Sequence, residues 1–139
     1  GDPAYYNNTL IGSCDFSIQG GSVAAAFISI TNFSIVPNNG NLTGEEYNIW
    51  AGDNVTKLGE TIAQSEGYIT STNANVNADG IYYTDMGEAT YLSAFGDSGG
   101  PVYLTDSKKV IGIHKGSTAF TSIFVKVDNI ASKLNAHFN

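Results

Sequence analysis

Apolar and polar positions alternate with a period of two along most of this chain, the spacing that strands require. Leu10 to Ile18 alternates in this way and stops at Gly20-Gly21, and Val23 to Ile30 is β-branched and apolar enough to predict a buried strand. Gly1-Asp2-Pro3 reads as a turn-like tail, Pro37-Asn-Asn-Gly-Asn41 as a turn cluster, and Leu42 to Glu46 as an exposed loop. Short strands are predicted at Tyr47–Trp50, Leu58–Gln64, Tyr68–Asn77 and Ile81–Thr84, then at Val102–Leu104, Val110–Lys115 and Ser122–Val127. Only at the end does the period lengthen. Ile130, Leu134 and Phe138 recur every four residues behind a cap at Val127-Asp128-Asn129, which predicts a helix over 127–138. The expected fold class is all-β with a C-terminal α-helix, with no internal repeat and no low-complexity linker.

Composition narrows the function. A length of 139 residues predicts one domain, and 42% hydrophobic with 12% aromatic residues is enough for a core. The net charge of -7, from six lysines, no arginine and 13 acids, excludes nucleic acid and anionic membrane as partners. No apolar run has membrane-spanning length and no signal-type segment stands at the start, so a soluble chain without membrane insertion is expected. Sequons begin at Asn7, Asn32, Asn41 and Asn54, which favours a secreted, extracellular glycoprotein. Cys14 has no partner for an internal disulfide; it reads either as an intermolecular bridge or as a buried thiol. No His, Cys and carboxylate cluster has metal-ligand spacing, and no cofactor is expected. The carboxylates Glu45, Glu46, Asp79, Asp85 and Glu88 are scattered through turns and read as surface charge.

Chemistry concentrates in Gly96-Asp97-Ser98-Gly99-Gly100-Pro101-Val102. A glycine-rich turn lets the backbone approach a reacting carbonyl, and the N–H groups of Gly96 and Ser98 could form an oxyanion hole beside the Ser98 hydroxyl. A nucleophilic serine also needs a base and an orienting carboxylate. The only histidines, His114 and His137, both follow the serine.

This motif, with Lys109-Val-Ile-Gly-Ile-His114 and Phe124-Val-Lys-Val127 after it, resembles the second barrel of the chymotrypsin-like serine proteases, nearest to the glutamyl-endopeptidase and streptogrisin branch. Gly59–Ala63 and Ala78–Tyr82 fall where that branch has strands leading to its serine. Asn8-Thr-Leu-Ile-Gly12 and Ala24–Ile30 resemble the end of the first barrel. The resemblance implies a chymotrypsin-like antiparallel β-barrel over residues 47–126, a remnant of the first barrel over 1–36 and the helix over 127–138. It also implies roles: Ser98 as nucleophile, Gly96 in the oxyanion hole, and Asp97 supporting that loop through a cation, for which Lys115 or the Gly1 amine is available. His114, Lys115 and Gly116 resemble part of an acid-binding specificity pocket, with a barrel-bonded strand histidine as the alternative for His114. In the family the strand at Ala24 opens with the triad aspartate, and this chain has alanine there; Asp15 is the nearest upstream acid. No residue before Asn8 is a histidine. His137 reads as a surface residue in the last turn of the helix.

Too few strands precede residue 36 to close a barrel, so open edges and half-covered apolar faces are expected, with a second copy of the chain as the simplest cover and Cys14 as a candidate staple. Two functions follow. One is a secreted glycoprotein with a trypsin-like fold that lacks catalysis and binds a receptor or cell-surface protein, as fungal-type immunomodulatory proteins do. The other is the C-terminal chain of an active serine endopeptidase with a preference for acidic residues.

Overall fold

The structure is a computed structural model that describes residues 1–32 and 41–137. Its N-terminal sheet is built from β1 (Pro3–Tyr6), β2 (Thr9–Gly20) and β3 (Val23–Ile30), antiparallel in that order. Asn7 and Asn8, both at positive φ (45° and 61°), make the two-residue turn between β1 and β2; asparagine tolerates that region better than other side chains do. The expected turn-like tail therefore enters a strand at Pro3.

The second sheet comprises β4 (Gly44–Glu45), β5 (Asn54–Leu58), β6 (Gln64–Ala78), β7 (Ile81–Ala89), β8 (Pro101–Leu104), β9 (Lys109–Ser117) and β10 (Ser122–Lys126). Its order is β10-β7-β6-β5-β8-β9-β4, and an additional β10–β9 ladder closes it into a barrel. Among the described residues the fold is all-β with one short helix, α1 (Val127–Leu134), after the last strand. Among the described residues no helix is long and apolar enough to cross a membrane.

Burial shows how the barrel is filled. In β10, Ser122, Ile123, Phe124 and Val125 are all buried, although a strand points successive side chains to opposite faces. Both faces are covered. Phe124 joins Val55, Ile69, Ala89, Tyr91, Val102 and Ile111 inside the barrel. Ile123 and Val125 point outward into a second cluster with Tyr83, Met86, Ile130 and Leu134, against which Ile18, Ala24 and Ala25 of the N-terminal sheet also pack. Gly87 and Gly112 flank the Phe124 ring so closely that a Cβ at either would overlap it.

Several expected elements differ, each for a local reason. Val23–Ile30 is a strand but not a buried one: Val23 is 1% exposed and Ala24 and Ala25 pack on the barrel, while further along the strand Phe27 and Ile28, on opposite faces, are 41% and 37% exposed. Phe27 stacks on Phe16, its partner in β2, with ring centroids 5.7 Å apart. Tyr47–Trp50 is not a strand. Side chains take its amides instead, Glu46 accepting from Tyr47 and Asn48 and Asp53 accepting from Trp50. Leu58–Gln64 bends after Leu58, since the amides of Thr61 and Ile62 turn to the Asp97 carboxylate. The loop expected at Leu42–Glu46 contains β4, paired in parallel with Lys109 and Val110.

The helix stops at Leu134, with Asn135 left-handed (φ 48°). Its N-cap is Lys126, with no side-chain cap bond, so the expected Val127-Asp128-Asn129 cap is absent. Asn129 Nδ2 instead donates to Asp85 Oδ2 at 3.1 Å, and Lys126 pairs with Asp85 Oδ1 at 2.6 Å. Val127, Ile130, Ala131 and Leu134 form the buried stripe. Phe138 and the segment 33–40, which holds most of the predicted Pro37 turn cluster, lie outside the described residues.

Candidate active site

The serine turn is fixed by its acid. Gly96 and Gly99 stand at φ 101° and 94°, where other residues are strained, and they let the chain reverse on both sides of Asp97-Ser98. Asp97 is buried. Its Oδ2 accepts from Lys57 Nζ at 2.7 Å and from the Ala94 amide at 2.9 Å; Oδ1 accepts from the Thr61 and Ile62 amides at 2.8 and 3.0 Å. Burial alone would raise the Asp97 pKa, but Lys57 and these three amides outweigh it and hold the carboxyl well below the ordinary range.

Lys57 is thus the cation that supports the loop, in place of Lys115 or the Gly1 amine. Neither of those is near. Lys115 Nζ lies over the Tyr83 ring at 5.5 Å, and the chain beside Gly1 is tied to β2 through Asp2 O and the Cys14 amide. Lys57 was legible in one respect: it shares a strand face with Val55, which puts it on the inward side of β5.

Ser98 is exposed, and its hydroxyl donates to the Lys115 carbonyl at 2.8 Å. Among the described residues it has no imidazole partner. The amides of Gly96 and Ser98 have no acceptor among the described residues, whereas those of Asp97, Gly99 and Gly100 are bonded to Ala94 O, His114 O and Asp97 O.

Two cavities meet at Ser98. One, of about 560 Å³, is bounded by β6, the Ser93–Phe95 segment and β9, and includes His114, Lys115 and Gly116. The other, of about 530 Å³, lies towards the N-terminal sheet and includes Ile18, Gln19 and Ala24 to Ala26. Ala24, paired with Gln19 in the β2–β3 ladder, therefore faces the space beside Ser98 with a methyl group. Asp15 is elsewhere, exposed at a β-bulge and accepting from Ser29 Oγ.

His114 is 2% exposed, with Nδ1 2.9 Å from the Tyr91 hydroxyl. Burial first, then the Lys57 charge, lower its pKa to about 4, so the ring is neutral at pH 7. Burial raises the Tyr91 pKa far enough that the phenol stays protonated; it donates to Nδ1 when the imidazole carries its proton on Nε2. His137 lies beyond the helix rather than in its last turn. It pairs with Glu45 Oε1 at 3.2 Å, beside the Tyr47 hydroxyl, and does not line either cavity at Ser98.

No protein-family profile matches the chain. Glutamyl endopeptidase 2 of Streptomyces griseus is 39% identical over 72 residues, 51% of this chain and 37% of that protein. Over that stretch the chain is similar in sequence to a glutamyl endopeptidase. The aligned stretch covers little more than a third of that curated relative's length. Solved structures agree on the fold of this chymotrypsin-like protein. A glutamic acid-specific serine protease described as using a histidine triad in substrate binding superposes with a TM-score of 0.77 at 23% identity, over 94% of this chain and 75% of that one. Cellulomonas bogoriensis chymotrypsin gives 0.69 at 20% identity, over 82% and 68%. With His114 and His137 as its only histidines, the present sequence does not supply a histidine triad.

Proposed function

We propose that this chain is a non-catalytic relative of the chymotrypsin-like serine proteases and acts by binding a receptor or other cell-surface protein, as a secreted glycoprotein of immunomodulatory type. The observation that supports the reading is that Ala24 and Ser98 line one cavity: the residue that the resemblance aligns with the family's carboxylate brings only a methyl group there, and the serine hydroxyl is spent on a backbone carbonyl. Without an oriented base the hydroxyl keeps its proton at neutral pH, and loss of one triad member costs about three to four orders of magnitude in rate. A fluorophosphonate probe tests this. No adduct at Ser98 in folded protein is expected; stoichiometric labelling of Ser98 would remove the reading.

Secretion and glycosylation enter on the sequons. Asn7, Asn41 and Asn54 are exposed, whereas Asn32 is half-buried and its amide bonds to Leu10 O. Expression in a eukaryotic secretory host should add glycans at the first three, read by mass after glycosidase treatment. Assembly enters on the N-terminal sheet, where Tyr5, Tyr6, Leu10, Phe16 and Phe27 are 41–61% exposed. A homodimer packed through this sheet, which also carries half-buried Cys14, should double the mass by light scattering; a monomer with and without reductant would count against it.

The second reading is an active endopeptidase chain with acidic preference, its base and acid supplied elsewhere. It is favoured by the intact turn, with Asp97 pinned and two amides open beside Ser98. Labelling at Ser98 and cleavage after glutamate would establish it.

A further inference from the structure

We propose that an extended segment of a partner protein adds as a fourth strand to the free edge of β3 and sets two apolar side chains into the cavity of about 330 Å³ between that edge and α1. This rests on the reading that the chain acts by binding, and it gives the partner a place in the fold.

The two edges of the N-terminal sheet differ. β1 has four residues and starts with proline, and both features limit pairing by another chain. β3 has eight residues, Val23 to Ile30, with no charge and no proline among them. Among the described residues it pairs only with β2, and the irregularity in that ladder falls at Asp15, on the β2 side. A regular, uncharged edge of this kind leaves a row of backbone donors and acceptors open, which is the template that an added strand uses.

The cavity lies along that edge. Its lining takes Ala25, Ala26 and Phe27 in succession, although neighbouring residues of a strand point to opposite faces, and it takes none from β2. A space that meets three consecutive residues of β3 and misses their ladder partner lies beside the backbone, on the unpaired side. Across it stand Pro101, Val110 and Ile113 of the barrel and Ile130 and Leu134 of α1. Ser98, His114 and Lys115 do not line it.

Size and charge state what fits. A cavity of about 150 Å³ accommodates one benzene ring, so this one has room for two side chains. An added strand presents two such side chains to the same side, from residues i and i+2. Glu45 is the one acid among the described residues of the lining, held by the Tyr47 hydroxyl at 2.6 Å and His137 Nδ1 at 3.2 Å. In a chain of net charge -7 it favours a basic residue beside the apolar pair.

The test uses the fluorescein-labelled peptide Lys-Thr-Phe-Thr-Val-Thr, blocked at both ends, titrated with the chain and read by anisotropy. Saturable binding is expected. N-methylation of one alternate set of its backbone amides should weaken binding at least about tenfold, and that of the other set much less, since an added strand turns only every second amide to its neighbour. Glu45→Gln should weaken binding several-fold, and should not weaken binding of the same peptide with methionine in place of lysine. Ala136→Trp, which places a ring at the wall of the cavity, should abolish binding, with the melting temperature reporting that the fold is kept. No saturable binding, or equal loss from the two methylation patterns, overturns the proposal and leaves the non-catalytic reading to the fluorophosphonate probe. Binding seen only when the chain is cut after His137 would assign the cavity to the chain's own end, and a doubled mass that the peptide reverses would assign the edge to a second copy; either result also overturns it.

Discussion

Lys57 Nζ lies 2.7 Å from Asp97 Oδ2 with both side chains closed to solvent, and this ion pair ties strand β5 to the serine turn. Removing one partner of such a pair leaves an uncompensated buried charge, which is worse than removing both. Lys57→Met should therefore lower the melting temperature by on the order of 10 °C, and the double variant Lys57→Met, Asp97→Asn, which removes the charge but keeps an acceptor oxygen for the backbone amides, should recover part of the loss. Scanning calorimetry on the three proteins decides it; a double variant less stable than Lys57→Met would contradict the argument.

Acid should destabilise the fold in two stages. An unfolded histidine takes its proton near pH 6.5, whereas folded His114 resists until about pH 4, because burial and the Lys57 charge oppose it, with Asp97 opposing that shift and Lys115 adding to it. The folded state binds fewer protons across that window, so the stabilisation is present above about pH 6.5 and is lost as the pH falls towards 4. Asp97, with its depressed pKa, contributes stability above the ordinary carboxylate range that is lost only at still lower pH. Melting temperature against pH should thus fall between 6.5 and 4, and His114→Gln should flatten that part of the curve. An unchanged slope in the variant would show that another group is responsible.

Phe124 plugs the barrel between Gly87 and Gly112. Phe124→Ala should cost about 3–5 kcal/mol by denaturant titration, as large cavities in packed cores do. Gly87→Ala should also destabilise, through overlap with the ring. Combining Gly87→Ala with Phe124→Leu should cost less than the sum of the two, since the smaller side chain makes room for the added methyl.

The barrel was readable wherever one strand face is dry. Val102–Leu104, Val110–Lys115 and Ser122–Val127 lie within or across β8, β9 and β10 because their alternation is set by burial in a closed sheet. Reading failed where a side chain takes the place of the ladder. Nothing near Thr61 and Ile62 announces that their amides belong to an acid 35 or 36 positions later. Nothing near Trp50 beyond Asp53 marks its turn. For the site, the Ser98 motif and the alanine at position 24 were evident, but Lys57 was not, because a buried lysine looks like any other until its partner is located. Tyr91, which fixes the His114 ring, was missed for the same reason.

Gly21 and Tyr83 form a single parallel bridge between the N-terminal sheet and the barrel, with Thr84 N donating to Gly21 O at 2.8 Å and Gly21 N to Tyr82 O at 3.3 Å. The barrel is closed by its own ladders, whereas β2 and β3 are joined to it by this bridge and by the packing of Ile18, Ala24 and Ala25 on its outer cluster. The space between Ala24 and Ser98 therefore has one wall from each sheet, and its width is set by how the two sheets dock rather than by either alone.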